Sequence, residues 1–189
     1  ISLSVHEFSH AAAAYALGDE TAKRCGRLTL NPLAHLDPFG ALMVMLVGFG
    51  WAKPVPVSAH VVNRKTPFGL AIVSFAGPAS NFLLALIAAL ICRIPALSIG
   101  WFEYALVNFV LINLSLGVFN LLPIAPLDGE KIVERFIPRS ARSNWYLVQS
   151  YGPQILLAAL LILPYFHIDI VSWILSPIVS GLFRLFMGG

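Results

Sequence analysis

Apolar residues in this chain come in long runs separated by short polar stretches. Residues 67–92 form one such run, opening Pro67-Phe68-Gly69-Leu70-Ala71-Ile72, and residues 101–122 form another. Each exceeds the roughly 20 residues that a helix needs to cross a bilayer. Residues 1–17 read as the C-terminal part of a membrane helix: Ala11 to Ala14 favour helix, and Gly18 suits a helix stop. At about 1.5 Å per residue this segment rises only about 26 Å, so the helix is expected to be incomplete, with further residues upstream of Ile1. Residues 147–163 and 168–187 predict a closing helical hairpin around Pro164.

The polar stretches are 18–37, 51–66 and 123–146. Arg27-Leu28-Thr29-Leu30 alternates polar and apolar, which predicts a short strand. Residues 51–66 are Val-rich, interrupted by Pro54 and Pro56, and read as an extended hairpin or loop rather than helix. Residues 38–50 are apolar but would rise only about 20 Å, short of the roughly 30 Å hydrocarbon core. Pro38, Gly40, Gly48 and Gly50 bracket them, so a re-entrant segment is expected.

Composition sharpens this picture. Of 189 residues, 58% are hydrophobic and 11% charged, with mean hydropathy +0.82. A soluble domain carries about 25% charged residues, so lipid is the expected solvent. The predicted fold is an all-α polytopic membrane protein with about five transmembrane helices, the first truncated, plus a re-entrant or extended hairpin segment. It reads as one domain, 1–189, with its core in residues 1–135 or so and a C-terminal helical hairpin at about 147–187. Cys25 and Cys92 form no CxxC pair and suggest neither a disulfide framework nor a thiolate metal site.

The net charge of +3 matters through its distribution. With 38–50 re-entrant, the three polar stretches share one side with the C-terminus. That side holds Lys23, Arg24, Arg27, Lys53, Arg64, Lys65, Lys131, Arg135, Arg139, Arg142 and Arg184, whereas the other holds Arg93. Basic loops stay cytoplasmic, so a cell membrane with the polar stretches facing the cytoplasm is expected. If 38–50 crossed instead, Asp128 would lie on the opposite face from the end of the first helix.

The candidate chemistry begins with His6-Glu7-Phe8-Ser9-His10, an HExxH motif. On a helix, positions i and i+4 share a face. Both imidazoles therefore reach one ion, and Glu7 sits beside them, placed to take a proton from water. Ionisable groups in apolar helices are costly and are kept mostly where they work; the bland alternative is a buried polar cluster that packs helices. A catalytic zinc takes three protein ligands and leaves one position open. Asp128, just past helix 101–122 and followed by Gly129, is the candidate third ligand. It also reads as an N-cap for the stretch Gly129–Phe136. Asn81 and Asn120 read either as donors to a substrate backbone or as interhelical hydrogen-bond partners. His35 and Asp37 lie before the re-entrant segment, at a turn or at the mouth of the site.

Three stretches then carry a family resemblance: His6-Glu7-Phe8-Ser9-His10, Ala76-Gly77-Pro78-Ala79-Ser80-Asn81, and Asn120 through Pro123-Ile124-Ala125-Pro126 to Asp128-Gly129. Together they resemble the site-2 protease family of intramembrane zinc metalloproteases, over about residues 1–135. Gly48-Phe49-Gly50-Trp51-Ala52-Lys53-Pro54-Val55-Pro56-Val57 is similar to a compact bacterial or archaeal branch. The resemblance implies one zinc ion bound by His6, His10 and Asp128, with Glu7 as general base and acid. It implies that Asn81 and Asn120 position the substrate, and that the hairpin near 48–66 presents an extended substrate by strand addition. The partners implied are a membrane protein or peptide substrate and the lipid bilayer, with no nucleic acid. Two other readings are a membrane metal-ion transporter, which usually adds further histidine ligands and a His-rich loop, and a catalytically inactive scaffold, which has no need of Glu7.

Overall fold

A computed structural model describes residues 1–47, 50–95 and 100–188. Among these residues the chain is helical, with one isolated bridge between Leu36 and Ala52 and no strand. The helices are α1 (Ser2–Ala16), α2 (Thr21–Arg24), α3 (Pro32–His35), α4 (Pro38–Val47), α5 (Ala59–Lys65), α6 (Gly69–Cys92), α7 (Gly100–Asn120), α8 (Asp128–Glu134), α9 (Arg142–Ser150), α10 (Gly152–Leu157) and α11 (Ile170–Met187).

Helix α6 is the centre of the molecule, packing on α1, α7, α8 and α11. Its small residues explain this. Ala85, Ala88 and Ala89 are buried against Val110, Leu114 and Val118 of α7 and Val179 of α11. Small side chains let helix backbones approach closely, which is how apolar helices associate where water supplies no driving force. Gly117 does the same from α7: a Cβ there would lie 2.9 Å from the Phe82 ring.

Helices α6, α7 and α11 are long and apolar enough to cross a membrane. A fourth span is reached if the bent pair Arg139–Ser150 and Gly152–Phe166, at 46° to each other, counts as one. Among the described residues three or four helices are thus long and apolar enough to cross; helix α1, the first expected span, has 15 residues, a rise of about 22 Å.

Three local expectations differ from the structure. Arg27–Leu30 is a bend, because the Arg27 guanidinium turns inward to the carbonyl of Ala34 and its own backbone N–H closes on Ala22. In segment 51–66, expected as an extended hairpin or loop, residues 51–58 are outside helix, but Ala59–Lys65 is helix α5. Val62 is buried between α1 and α6, with Ala14 and Val73, and that burial overrides the β-branched preference of the segment. The expected helix 147–163 is interrupted at Tyr151–Gly152 and again by a π-helical turn at Ala158–Ile162 and a 3-10 turn at Leu163–Phe166.

After α4 the chain returns beside its own path. Leu36 bridges Ala52, Lys53 N–H donates to His35 at 2.9 Å, and Gly40 abuts the Trp51 backbone. The two ends of segment 36–53 therefore lie side by side; Gly48 and Phe49 fall outside the described residues. Asp37 caps α4 by accepting from Gly40 N–H at 2.8 Å.

Candidate metal centre

Helix α1 turns His6 and His10 to one side, and their rings meet edge to face with centroids 4.6 Å apart. The side chain of Asp128, at the first turn of α8, comes to the same point. His6 Nε2 and His10 Nε2 are each 3.2 Å from Asp128 Oδ2 and 3.0 Å from one another. All three residues are buried, at 3%, 7% and 9% exposure. Asp128 does not act as a cap: the N-cap position of α8 is Leu127, without a side-chain bond.

The outer nitrogens decide what these atoms are. His10 Nδ1 lies 2.7 Å from the Val73 carbonyl, which only accepts, so Nδ1 carries the proton. His6 Nδ1 lies 2.6 Å from Asn81 Oδ1. Asn81 is oriented in turn, because its amide nitrogen donates to the Ser2 carbonyl at 3.3 Å and to Asn113 Oδ1 at 3.0 Å. Both Nε2 atoms are then lone-pair donors, as the hydrogen bond at the other ring nitrogen dictates. Two imidazole lone pairs and a carboxylate oxygen converge, an arrangement that a bound metal cation would relieve. Zinc bonds of about 2.0 Å in tetrahedral geometry set ligand atoms about 3.3 Å apart, close to the edges found here. The three residues form a group able to hold a metal ion, and their donor set fits zinc.

Gly77 makes the space. A Cβ at this position would lie 2.6 Å from His10 Cε1 and 2.7 Å from His6 Cε1. Gly129 lets α8 start against the end of α7, where a Cβ would lie 2.5 Å from the Leu122 carbonyl oxygen. Gln149 holds the intervening loop: its oxygen accepts from Ala125 N–H at 2.7 Å, and its nitrogen donates to the Pro123 carbonyl at 3.1 Å.

Glu7 is buried, and among the described residues it makes no hydrogen bond or ion pair. Asn81 is fully buried and spends its amide on protein partners, so the structure puts it behind His6. Asn120 is half-buried at the end of α7 and donates to the Leu116 carbonyl at 2.9 Å. His35 is buried beside this region, with Nε2 on the Thr29 carbonyl at 2.8 Å.

Two residues escaped sequence reasoning. Asn113, fully buried in α7, orients Asn81 and donates to Ser2 Oγ at 3.0 Å and the Phe109 carbonyl at 2.8 Å. The signal was available, because it is an amide in the middle of an apolar helix, the feature that singled out Asn81. Gln149 had no such signal, since it lies at the start of segment 147–163 beside Ser150, Tyr151 and Gln154, which do not set it apart.

The chain is similar to known proteins over most of its length. It is 38% identical over 190 residues to "Putative zinc metalloprotease YwhC" of Bacillus subtilis, covering 96% of this chain and 83% of that one. It is 35% identical over 143 residues to "Putative zinc metalloprotease Rip2" of Mycolicibacterium smegmatis, covering 71% of this chain and 53% of that one. A 91-residue stretch is 38% identical to "Putative zinc metalloprotease Rip3" of Mycobacterium tuberculosis, covering 44% of this chain and 22% of that protein. Residues 91–163, which include Asn120 and Asp128, match the family profile described as "Peptidase family M50". No solved structure matches.

Proposed function

The chain belongs to peptidase family M50, the site-2 protease family, and on that premise we propose that it is a zinc metallopeptidase hydrolysing membrane-embedded substrates near the cytoplasmic face. The observation that carries this reading is the convergence of two lone-pair imidazole nitrogens and one carboxylate oxygen, each 3.0–3.2 Å from the others. In this reading His6, His10 and Asp128 hold one zinc ion per chain. Zinc bound there would polarise a carbonyl and lower the pKa of water from about 15.7 to about 7.

The chain's own residues do the rest. Glu7, adjacent to His6 and without a protein partner, takes a proton from water and returns it to the leaving amine nitrogen. Asn81 and the Val73 carbonyl hold the imidazole tautomers throughout. Residues 51–57, outside helix and joined to the end of α3 through Leu36–Ala52 and Lys53–His35, would offer an edge to an unwound substrate. Unwinding is required because a helix engages its own carbonyls. Asn120, at the end of the helix that leads to Asp128, is placed to contact substrate if it releases Leu116. The basic polar segments face the cytoplasm, and water enters from there.

The test is Glu7→Gln. Zinc content should persist at one per chain while cleavage of a membrane substrate in proteoliposomes falls at least a thousandfold. Cleavage retained by this variant ends the proposal.

A further inference from the structure

On the polar side of the bundle, away from the imidazoles, a cavity of about 280 Å³ lies between the start of α6 and the α8–α9 region. Lys131, Arg135 and Arg142 line it, with Asn63 and Pro67 opposite. The one acid in its wall, Glu134, accepts from Tyr146 Oη at 2.6 Å. Among the described residues, none of the three cations makes an ion pair. The Nε atoms of Arg135 and Arg142 are both buried and lack a hydrogen-bond acceptor. Three unpaired cations against one carboxylate leave the cavity net positive, a site for an anion from outside the chain.

We propose that this cavity binds the phosphate of an anionic phospholipid headgroup. Arginine pairs with phosphate through parallel N–H bonds, and basic pockets between membrane helices at the cytoplasmic level hold anionic headgroups. The depth fits a lipid rather than a free ion. Helix α6, long and apolar enough to cross, begins at Gly69, flanked by Pro67 and Leu70 of the cavity wall, which on this reading sets the cations at headgroup level. On the rim, Arg135 stands over the Phe68 ring at 4.6 Å, and exposed Phe68 and Phe136 lie with centroids 6.1 Å apart, an apolar surface for an acyl chain. The site is independent of the metal centre and of the reaction proposed for it.

The experiment is native mass spectrometry of the full chain in detergent, titrated with dioctanoyl phosphatidylglycerol. One lipid should bind per chain, at least tenfold more weakly to the R135Q/R142Q double variant and about threefold more weakly to K131Q. Arg93→Gln, at the far end of α6, should leave binding unchanged, as should inorganic phosphate at concentrations equal to the lipid. A thermal midpoint in detergent equal to that of the wild type reports that each variant is folded. K131Q, which changes an exposed side chain, carries the test alone if the double variant loses its fold. Equal binding by wild type and variants, equal loss in Arg93→Gln, or equal retention of dioctanoyl phosphatidylcholine would overturn the proposal. Displacement by equimolar inorganic phosphate would overturn the lipid assignment in favour of a soluble phosphate ligand.

Discussion

His6 Nδ1 donates to Asn81 Oδ1 at 2.6 Å, joining residues 75 apart in sequence. Asn81 is itself held by Ser2 and Asn113, so three helices fix the tautomer of one imidazole. Outer hydrogen bonds of this kind typically contribute 10–100-fold to metal affinity. Asn81→Leu should weaken zinc binding by about that factor in a competition titration with a chelator. Asn113→Leu, one bond further out, should give a smaller loss in the same direction. Unchanged affinity in both variants would mean that the network packs the helices and does nothing for the metal.

Gly77 should tolerate no side chain. Its Cβ would press on both imidazoles, at 2.6 and 2.7 Å from their Cε1 atoms. Gly77→Ala should lower zinc occupancy at least tenfold by elemental analysis. Gly181→Ala is the comparison, because a Cβ there meets nothing within 4 Å. That change should leave zinc occupancy alone and stabilise α11 by up to about 1 kcal/mol.

Gln149 should matter to stability although it touches no ligand. Replacing it by Leu leaves the Ala125 N–H and the Pro123 carbonyl without partners. Both bonds are part-buried, so losing each should cost about 0.5–1.5 kcal/mol, and the thermal midpoint in detergent should fall by a few degrees. Gln149→Glu keeps the acceptor for Ala125 and should fall less.

Asp19 gives the fold an acid-side dependence. Its carboxylate accepts from Thr21 N–H at 3.0 Å, Thr21 Oγ1 at 2.5 Å and Ser58 N–H at 2.6 Å, tying the end of α1 to the start of α5. Burial pushes the carboxyl pKa up, and the three hydrogen bonds outweigh it, holding the group below its ordinary value. Its stabilisation is therefore complete above the unfolded value of about 3.9 and is lost as pH falls through the lower folded value. Asp19→Asn should cost about 1–3 kcal/mol at neutral pH. The difference between wild type and variant should shrink below about pH 4. A difference constant from pH 7 to pH 3 would rule out the carboxylate as its source.

The sequence made some of this legible for physical reasons. His6 and His10 are four residues apart on one helix, so local periodicity alone brings them together. The apolar runs of α6 and α7 announce themselves by length. Asp128 was ambiguous because its neighbours suit a helix cap as well as a ligand; only the packing of α8 beneath α6 directs its carboxylate to the imidazoles. Helix α5 was illegible because Val61 and Val62 favour strand locally, and the burial of Val62 between α1 and α6 is a tertiary fact. The break at Tyr151–Gly152 has a similar cause. Gly152 lies against Ala125, where a Cβ would meet the Ala125 oxygen at 2.6 Å, a contact that no window of sequence contains.

The most direct measurement is anomalous diffraction at the zinc edge from crystals of the full chain. The predicted result is a single peak about 2.0–2.2 Å from His6 Nε2, His10 Nε2 and an Asp128 carboxylate oxygen. A peak elsewhere, or an Asp128 side chain turned away from the two imidazoles, would contradict the metal centre and the chemistry built on it.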